Sequence, residues 1–119
     1  MNIAIIGSRT FRNKELFQTS LENVLNTEFN GAIPSKIISG GACGTDTLAA
    51  NWAKENRIPL CEFLPDYQKY KQAAPLVRNR LIVQNADFIV AFWDNQSRGT
   101  KYVITYAQER KKPIKVISI

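Results

Sequence analysis

Short apolar runs separated by helical patterns recur along the whole of this chain, and that alternation restricts its fold more than any other feature. The runs are Asn2–Ile6, Lys36–Ser39, Leu60–Leu64, Phe88–Phe92 and Ile114–Ile117. Between the first two, Asn13 suits a helix cap, and Phe17, Leu21, Val24 and Leu25 fall on one helical face. Asn30-Gly31 and Pro34 end that helix. A second helix is predicted from about Thr45 to Asn56, closed by Pro59. Pro65-Asp66 stops the third run, and Tyr67–Ala74 is polar and aromatic without periodicity, a loop or a short irregular helix. Pro75 suits the first position of a further helix carrying Leu76, Val77, Arg78, Asn79, Leu81 and Ile82. Trp93–Thr100 reads as a loop, and a last helix follows to about Lys111.

Short buried strands alternating with helices predict a parallel sheet covered on both faces. Right-handed crossovers then leave few topologies. The expectation is an α/β fold over residues 1–119: one three-layer, Rossmann-like domain with a five-stranded parallel sheet in the order 3-2-1-4-5. No apolar run reaches the roughly 18 residues of a membrane span. The N-terminus lacks the basic region of a signal peptide, so a cytoplasmic location is expected.

In such a sheet every strand-to-helix loop emerges at the same edge, where ligands bind. Five of the six glycines (Gly7, Gly40, Gly41, Gly44 and Gly99) lie in three of these loops. Glycine suits a tight turn or a close backbone approach to a ligand, and both readings are open. The densest loop is Ser39-Gly40-Gly41-Ala42-Cys43-Gly44-Thr45-Asp46, between a strand and a helix N-terminus that offers free N–H donors to an anion. Thr45 and Asp46 can cap that helix, or Asp46 can accept from ribose hydroxyls. Ser8 and Arg9 of the first loop can contact phosphate oxygens. Arg78 and Asn79 are expected in the first turn of the helix after Pro75, where a cation opposes the helix dipole; that placement suggests Arg78 faces an anion. The fourth loop adds Trp93, a flat ring that can stack or simply fill the core, with Asp94, Ser97, Arg98, Gly99 and Thr100.

The chain carries 16 Lys and Arg against 10 Asp and Glu, a formal charge of +6 that favours anionic partners or a solvated basic face. The Arg110-Lys111-Lys112 cluster at a helix C-terminus is explained by the helix dipole. There is no histidine and no C-x-x-C pair, so histidine-based catalysis is excluded within this chain and no metal site is expected.

Taken in order, Gly7-Ser8-Arg9, Gly40-Gly41-Ala42-x-Gly44-x-Asp46, Ala74-Pro75-x-x-Arg78-Asn79 and Ala91-Phe92-Trp93-Asp94-x-x-Ser97-x-Gly99-Thr100 resemble the SLOG superfamily, in its YspA/YpsA-related branch. The resemblance spans almost the whole chain. It implies a modified Rossmann fold that binds nucleotides or related ligands along this edge. Relatives include cytokinin-activating phosphoribohydrolases, nucleotide-signal sensors and a DNA-processing protein that loads single-stranded DNA. Asn95 stands where the branch commonly has glycine, and asparagine tolerates a left-handed backbone. The phosphoribohydrolases carry Gly-Thr-x-x-Glu, whereas Gly99-Thr100 is followed here by Val103.

The expected function is binding of a nucleotide or ADP-ribose-like ligand, as a sensor or sink, with no further cofactor. The expected ligand-binding residues are Gly7, Ser8, Arg9, Gly40, Gly41, Ala42, Gly44, Thr45, Asp46, Arg78, Asn79, Trp93, Asp94, Ser97, Gly99 and Thr100. Two alternatives stand beside it. One is hydrolysis of a nucleotide N-glycosidic bond, with Asp46 and Asp94 as the carboxylates. The other is binding of single-stranded nucleic acid, with exposed aromatics such as Tyr67, Tyr70 and Trp93 stacking on bases. A homodimer is the partner the family analogy suggests.

Overall fold

The computed structural model describes residues 1–119. Its elements, in order, are β1 (Asn2–Gly7), α1 (Lys14–Phe29), β2 (Lys36–Ser39), α2 (Thr45–Glu55), β3 (Leu60–Glu62), α3 (Tyr67–Tyr70) with a 3₁₀ turn (Lys71–Ala73), α4 (Ala74–Asn85), β4 (Phe88–Trp93), α5 (Arg98–Glu109) and β5 (Ile114–Ser118). The strands form one all-parallel sheet in the order β3-β2-β1-β4-β5, the expected α/β Rossmann-like topology.

Side chains alternate across the sheet and so build two cores. Ile3 and Ile5 of β1, Ile37 of β2, and Phe88, Val90 and Phe92 of β4 face α1 and α2. Ala4, Ile6, Ile38, Ile89 and Ala91 face the other way, against Ile82 and Val83 of α4 and Val103, Ile104 and Ala107 of α5. Phe92 centres the first core, its ring 5.0 Å from that of Phe17 and 5.4 Å from that of Phe11. Burying such a side chain contributes about 2–3 kcal/mol. β1 and β4 lie in the middle of the sheet and are buried almost throughout, whereas β3 and β5 are half-exposed edges.

Boundaries depart from expectation where hydrogen bonding outweighs apolar pattern. β3 stops at Glu62 rather than Leu64: the Phe63 amide still donates to the Ser39 carbonyl, at 2.9 Å, but β2 ends there and offers nothing further. β4 includes Trp93, which pairs with Ser118 and whose carbonyl accepts from the Ile119 amide. Pro75 is the second residue of α4, not the first, and its missing N–H has no intrahelical acceptor to lose at either position. Arg78 and Asn79 therefore sit one turn into α4 rather than in its first turn. α5 begins at Arg98 because Ser97 caps it, which moves Gly99 and Thr100 from the loop into the helix. It ends at Glu109, two residues early, as Lys111 turns left-handed at φ +57° and the Lys112 amide reaches back to the Ala107 carbonyl. Asn13 caps α1 as expected, accepting from the Leu16 amide at 3.0 Å.

Candidate functional site

Because all strands run one way, the loops after β1, β2 and β4 converge at one edge of the sheet, with α4 beside them. They enclose an open cavity of about 400 Å³. The first loop contributes Gly7, Ser8, Arg9 and Thr10, the second Gly40, Ala42 and Asp46, and α4 Arg78 and Asn79. The fourth loop and the start of α5 contribute Asp94, Ser97, Gly99 and Thr100. Ile6, Ile82 and Val103 are also part of the lining and make it partly apolar.

Four expected residues are not in that lining. Gly44 holds φ +71°, and a Cβ there would lie 2.3 Å from the Arg9 carbonyl oxygen, so the glycine serves chain packing. Thr45 is fully buried; its hydroxyl donates to the Ser8 carbonyl at 2.8 Å and makes no cap. Gly41 opens onto a smaller neighbouring hollow with Cys43 and Leu64. The Trp93 indole donates to the Ser97 carbonyl at 3.1 Å, so this ring braces the fourth loop. Conversely, Thr10, Pro75, Ile6, Ile82 and Val103 line the cavity without having been expected there. Ile6 and Ile82 read in the sequence as parts of an apolar strand and helix, whereas Thr10 had a signal in its first-loop position, Pro75 in the Ala74-Pro75-x-x-Arg78-Asn79 motif and Val103 in standing where the phosphoribohydrolases carry glutamate.

The charged groups of the cavity are held but not neutralised by one another. Arg78 is buried; its Nη1 donates to the Gly40 carbonyl at 2.7 Å and its Nε to Asn79 Oδ1 at 2.8 Å. Its Nη2 has no protein acceptor. Gly40 leaves space for this arrangement, since a Cβ there would meet Arg78 Nη1 at 2.8 Å and Asp46 Oδ2 at 3.2 Å. Asp46 is buried and accepts from the Ala42 amide at 3.0 Å, folding the loop back over the start of α2 instead of capping it. Burial raises its pKa above the ordinary carboxylate value, against the Ala42 amide and the nearby Arg78 charge. Burial likewise lowers that of the Arg78 guanidinium, while Asp46 opposes the shift.

Asp94 behaves oppositely. Its Oδ1 accepts from the Gln96 and Ser97 amides at 2.9 and 2.7 Å, and its Oδ2 accepts from the Ser8 hydroxyl at 3.3 Å. The backbone donors hold its pKa below the ordinary value. Asn95 completes this turn at φ +66°, the left-handed backbone expected of it. The only ion pair in the structure, Lys14–Glu55 at 3.0 Å, is elsewhere, and Arg9 is exposed with no side-chain partner. No group of three His, Cys, Asp or Glu side chains comes together to hold a metal.

Comparison with known proteins fixes the lineage. Residues 1–70 match the YAcAr family, described as the YspA, cpYpsA-related SLOG family. This chain belongs to that SLOG family. A similar protein is the gene 61 protein of Mycobacterium phage D29, 26% identical over 118 residues that span 94% of this chain and 92% of that one. Among solved structures, DNA processing protein A from Helicobacter pylori superposes with a TM-score of 0.68 at 25% identity. That likeness covers 98% of this SLOG chain but 64% of the Helicobacter chain, just under two thirds of its length. The Helicobacter structure is described for a single-stranded DNA binding mode. Both similarities span nearly all of this chain, including α4, β4 and α5, which lie beyond the matched residues 1–70.

Proposed function

We propose that this SLOG protein binds a nucleotide or nucleotide-derived, ADP-ribose-like ligand at the C-terminal edge of its sheet, as a sensor or sink. The observation that carries the reading is the cavity itself, where two arginines and two aspartates converge without forming an ion pair. Arg78 Nη2 and the free Arg9 guanidinium suit phosphate oxygens, which accept paired N–H donors. The carboxylates of Asp46 and Asp94 suit ribose hydroxyls, which donate. Ile6, Ile82 and Val103 offer apolar surface to a base. At Gly99 a Cβ would meet nothing within 4 Å, so the protein's own packing leaves this first turn of α5 open to a ligand.

Binding is favoured over N-glycosidic hydrolysis. Val103, where the phosphoribohydrolases carry a glutamate, is buried in the cavity wall and holds no proton to transfer. Asp94 is kept ionised by backbone donors, which suits an acceptor better than a general acid. Likeness to DNA processing protein A supports a second reading, in which the cavity takes one nucleotide of a single strand.

A thermal-shift panel of AMP, NAD and ADP-ribose tests the proposal. A compound at 100 times its Kd adds about 2.7 kcal/mol. Arg78→Ala should weaken a phosphorylated hit tenfold or more. A flat panel overturns the reading, and an unchanged affinity removes Arg78 from the site. Chromatography of the incubated hit then separates intact ligand from released base, and released base would favour hydrolysis.

A further inference from the structure

The positive charge of this chain is not spread evenly. Residues 1–70 carry seven Lys and Arg and seven Asp and Glu, whereas residues 71–119 carry nine and three. The whole excess therefore lies in the part beyond the matched family residues, on α4, α5, β5 and their connections. α4 has no acid and α5 has one, Glu109; the carboxylates of Asp87 and Asp94 are occupied by backbone amides.

Within that half two exposed arginines, Arg80 and Arg110, are held by tyrosines, and a third, Arg98, starts the same helix row. Arg98, Tyr102, Tyr106 and Arg110 recur every fourth residue and so form one row along α5. Arg80 of α4 lies against the same row: its Nε donates to the Tyr102 hydroxyl at 2.7 Å, and its guanidinium carbon is 5.9 Å from the Tyr106 ring centre. Arg110 covers the same ring at 5.2 Å and donates from Nε to the Tyr106 hydroxyl at 3.2 Å. The two tyrosine rings are 6.2 Å apart and nearly parallel, at 11°. Neither guanidinium pairs with a carboxylate, and the Nη groups of both have no protein acceptor.

The helix dipole does not account for this. Lys112 serves the end of α4, donating to the Ala86 carbonyl at 2.7 Å, while Arg110 turns back along α5 toward Tyr106, and the last turn of α5 holds no basic residue. Arginines fixed over aromatic rings lose little freedom on binding and present planar faces to a base and N–H groups to phosphate. Across twelve residues at 1.5 Å each the row extends about 18 Å from Arg98. Its first residue adjoins Ser97 and Gly99 at the cavity rim.

We propose that this α4–α5 row is a track for single-stranded nucleic acid, with Arg80, Arg98 and Arg110 on successive phosphates. The track uses residues outside the cavity lining, so it is compatible with a nucleotide ligand in the cavity and competes with the reading that places a single strand there. Three phosphate contacts predict that log K falls against log salt with a slope of about −2.

The test is fluorescence anisotropy of a labelled 20-nucleotide oligo(dT) against salt concentration. Wild-type protein should bind it at low salt with that slope and bind a duplex of equal length less tightly. The triple variant R80Q/R98Q/R110Q should lose tenfold or more in affinity and most of the slope, with its melting temperature and its response to the nucleotide panel unchanged. Arg78→Ala should keep oligo(dT) affinity within twofold of wild type. The proposal is overturned if wild type does not bind, if the folded triple variant binds as wild type does, or if the duplex binds as tightly. It is equally overturned if Arg78→Ala abolishes oligonucleotide binding, which would move the strand into the cavity.

Discussion

Two walls of the same cavity are built on opposite plans. The β2–α2 wall is packed: Gly44 lies against the Arg9 carbonyl, Thr45 is sealed beneath Ser8, and Asp46 is buried beside Arg78. The β4–α5 wall is open: Asp94 gathers two amides and the Ser8 hydroxyl, Trp93 braces the turn from outside, and Gly99 borders empty space. The glycines of the two loops look alike in the sequence, yet the chain itself requires only one set. The aspartates also look alike, but burial pushes one pKa up and backbone donors push the other down.

The largest test of this contrast is Gly44→Ala. A Cβ 2.3 Å from the Arg9 oxygen, at positive φ, should cost about 3 kcal/mol, read as a fall in thermal stability of roughly 10 °C or more. Retained stability would mean that the packed wall yields easily.

The two aspartates should give opposite, smaller signatures. A raised pKa in the folded state means that ionised Asp46 opposes folding at neutral pH, a penalty that fades as pH falls through that raised value. Asp46→Asn keeps an oxygen for the Ala42 amide, so it should raise the melting temperature at pH 7, with the gain vanishing in acid. A lowered pKa means that Asp94 adds stability above the ordinary carboxylate range, lost as pH falls through the depressed value. Asp94→Asn should therefore melt lower than wild type at pH 7 and converge with it in acid. Parallel curves for the two variants would erase the distinction between the walls.

Gly99→Ala should matter least to stability. It fills open space in the first turn of a helix and should be neutral or stabilising by about 0.5–1 kcal/mol. Its effect belongs to the ligand: a hit from the nucleotide panel should bind more weakly, whereas unaltered affinity would place the ligand away from α5.

The alternation of runs at Ile3–Ile6, Ile37–Ile38 and Phe88–Phe92 was enough to specify the parallel sheet and its order, because strands buried on both faces must be apolar throughout and crossovers have one hand. It also specified which loops meet, since parallel strands end at one edge. What each loop residue does there was not legible. Thr45 and Asp46 both read as caps, but the hydroxyl is drawn to the Ser8 carbonyl and the carboxylate to the Ala42 amide. Trp93 read as a ring that could stack or fill the core; it packs against the second core, and its indole donates to the Ser97 carbonyl. Val103 was notable only for standing where the phosphoribohydrolases carry glutamate, and it lies both in the second core and in the cavity wall.

The sequence by itself determined the architecture and the edge at which the loops meet, because these follow from local periodicity and chain direction. Only the tertiary structure decided which glycines are packed and which face space, which aspartate is buried, and that the surplus arginines line up on one side. Those outcomes depend on atoms brought together from distant segments: Arg9 against Gly44, Arg78 against Gly40, Arg80 against Tyr102.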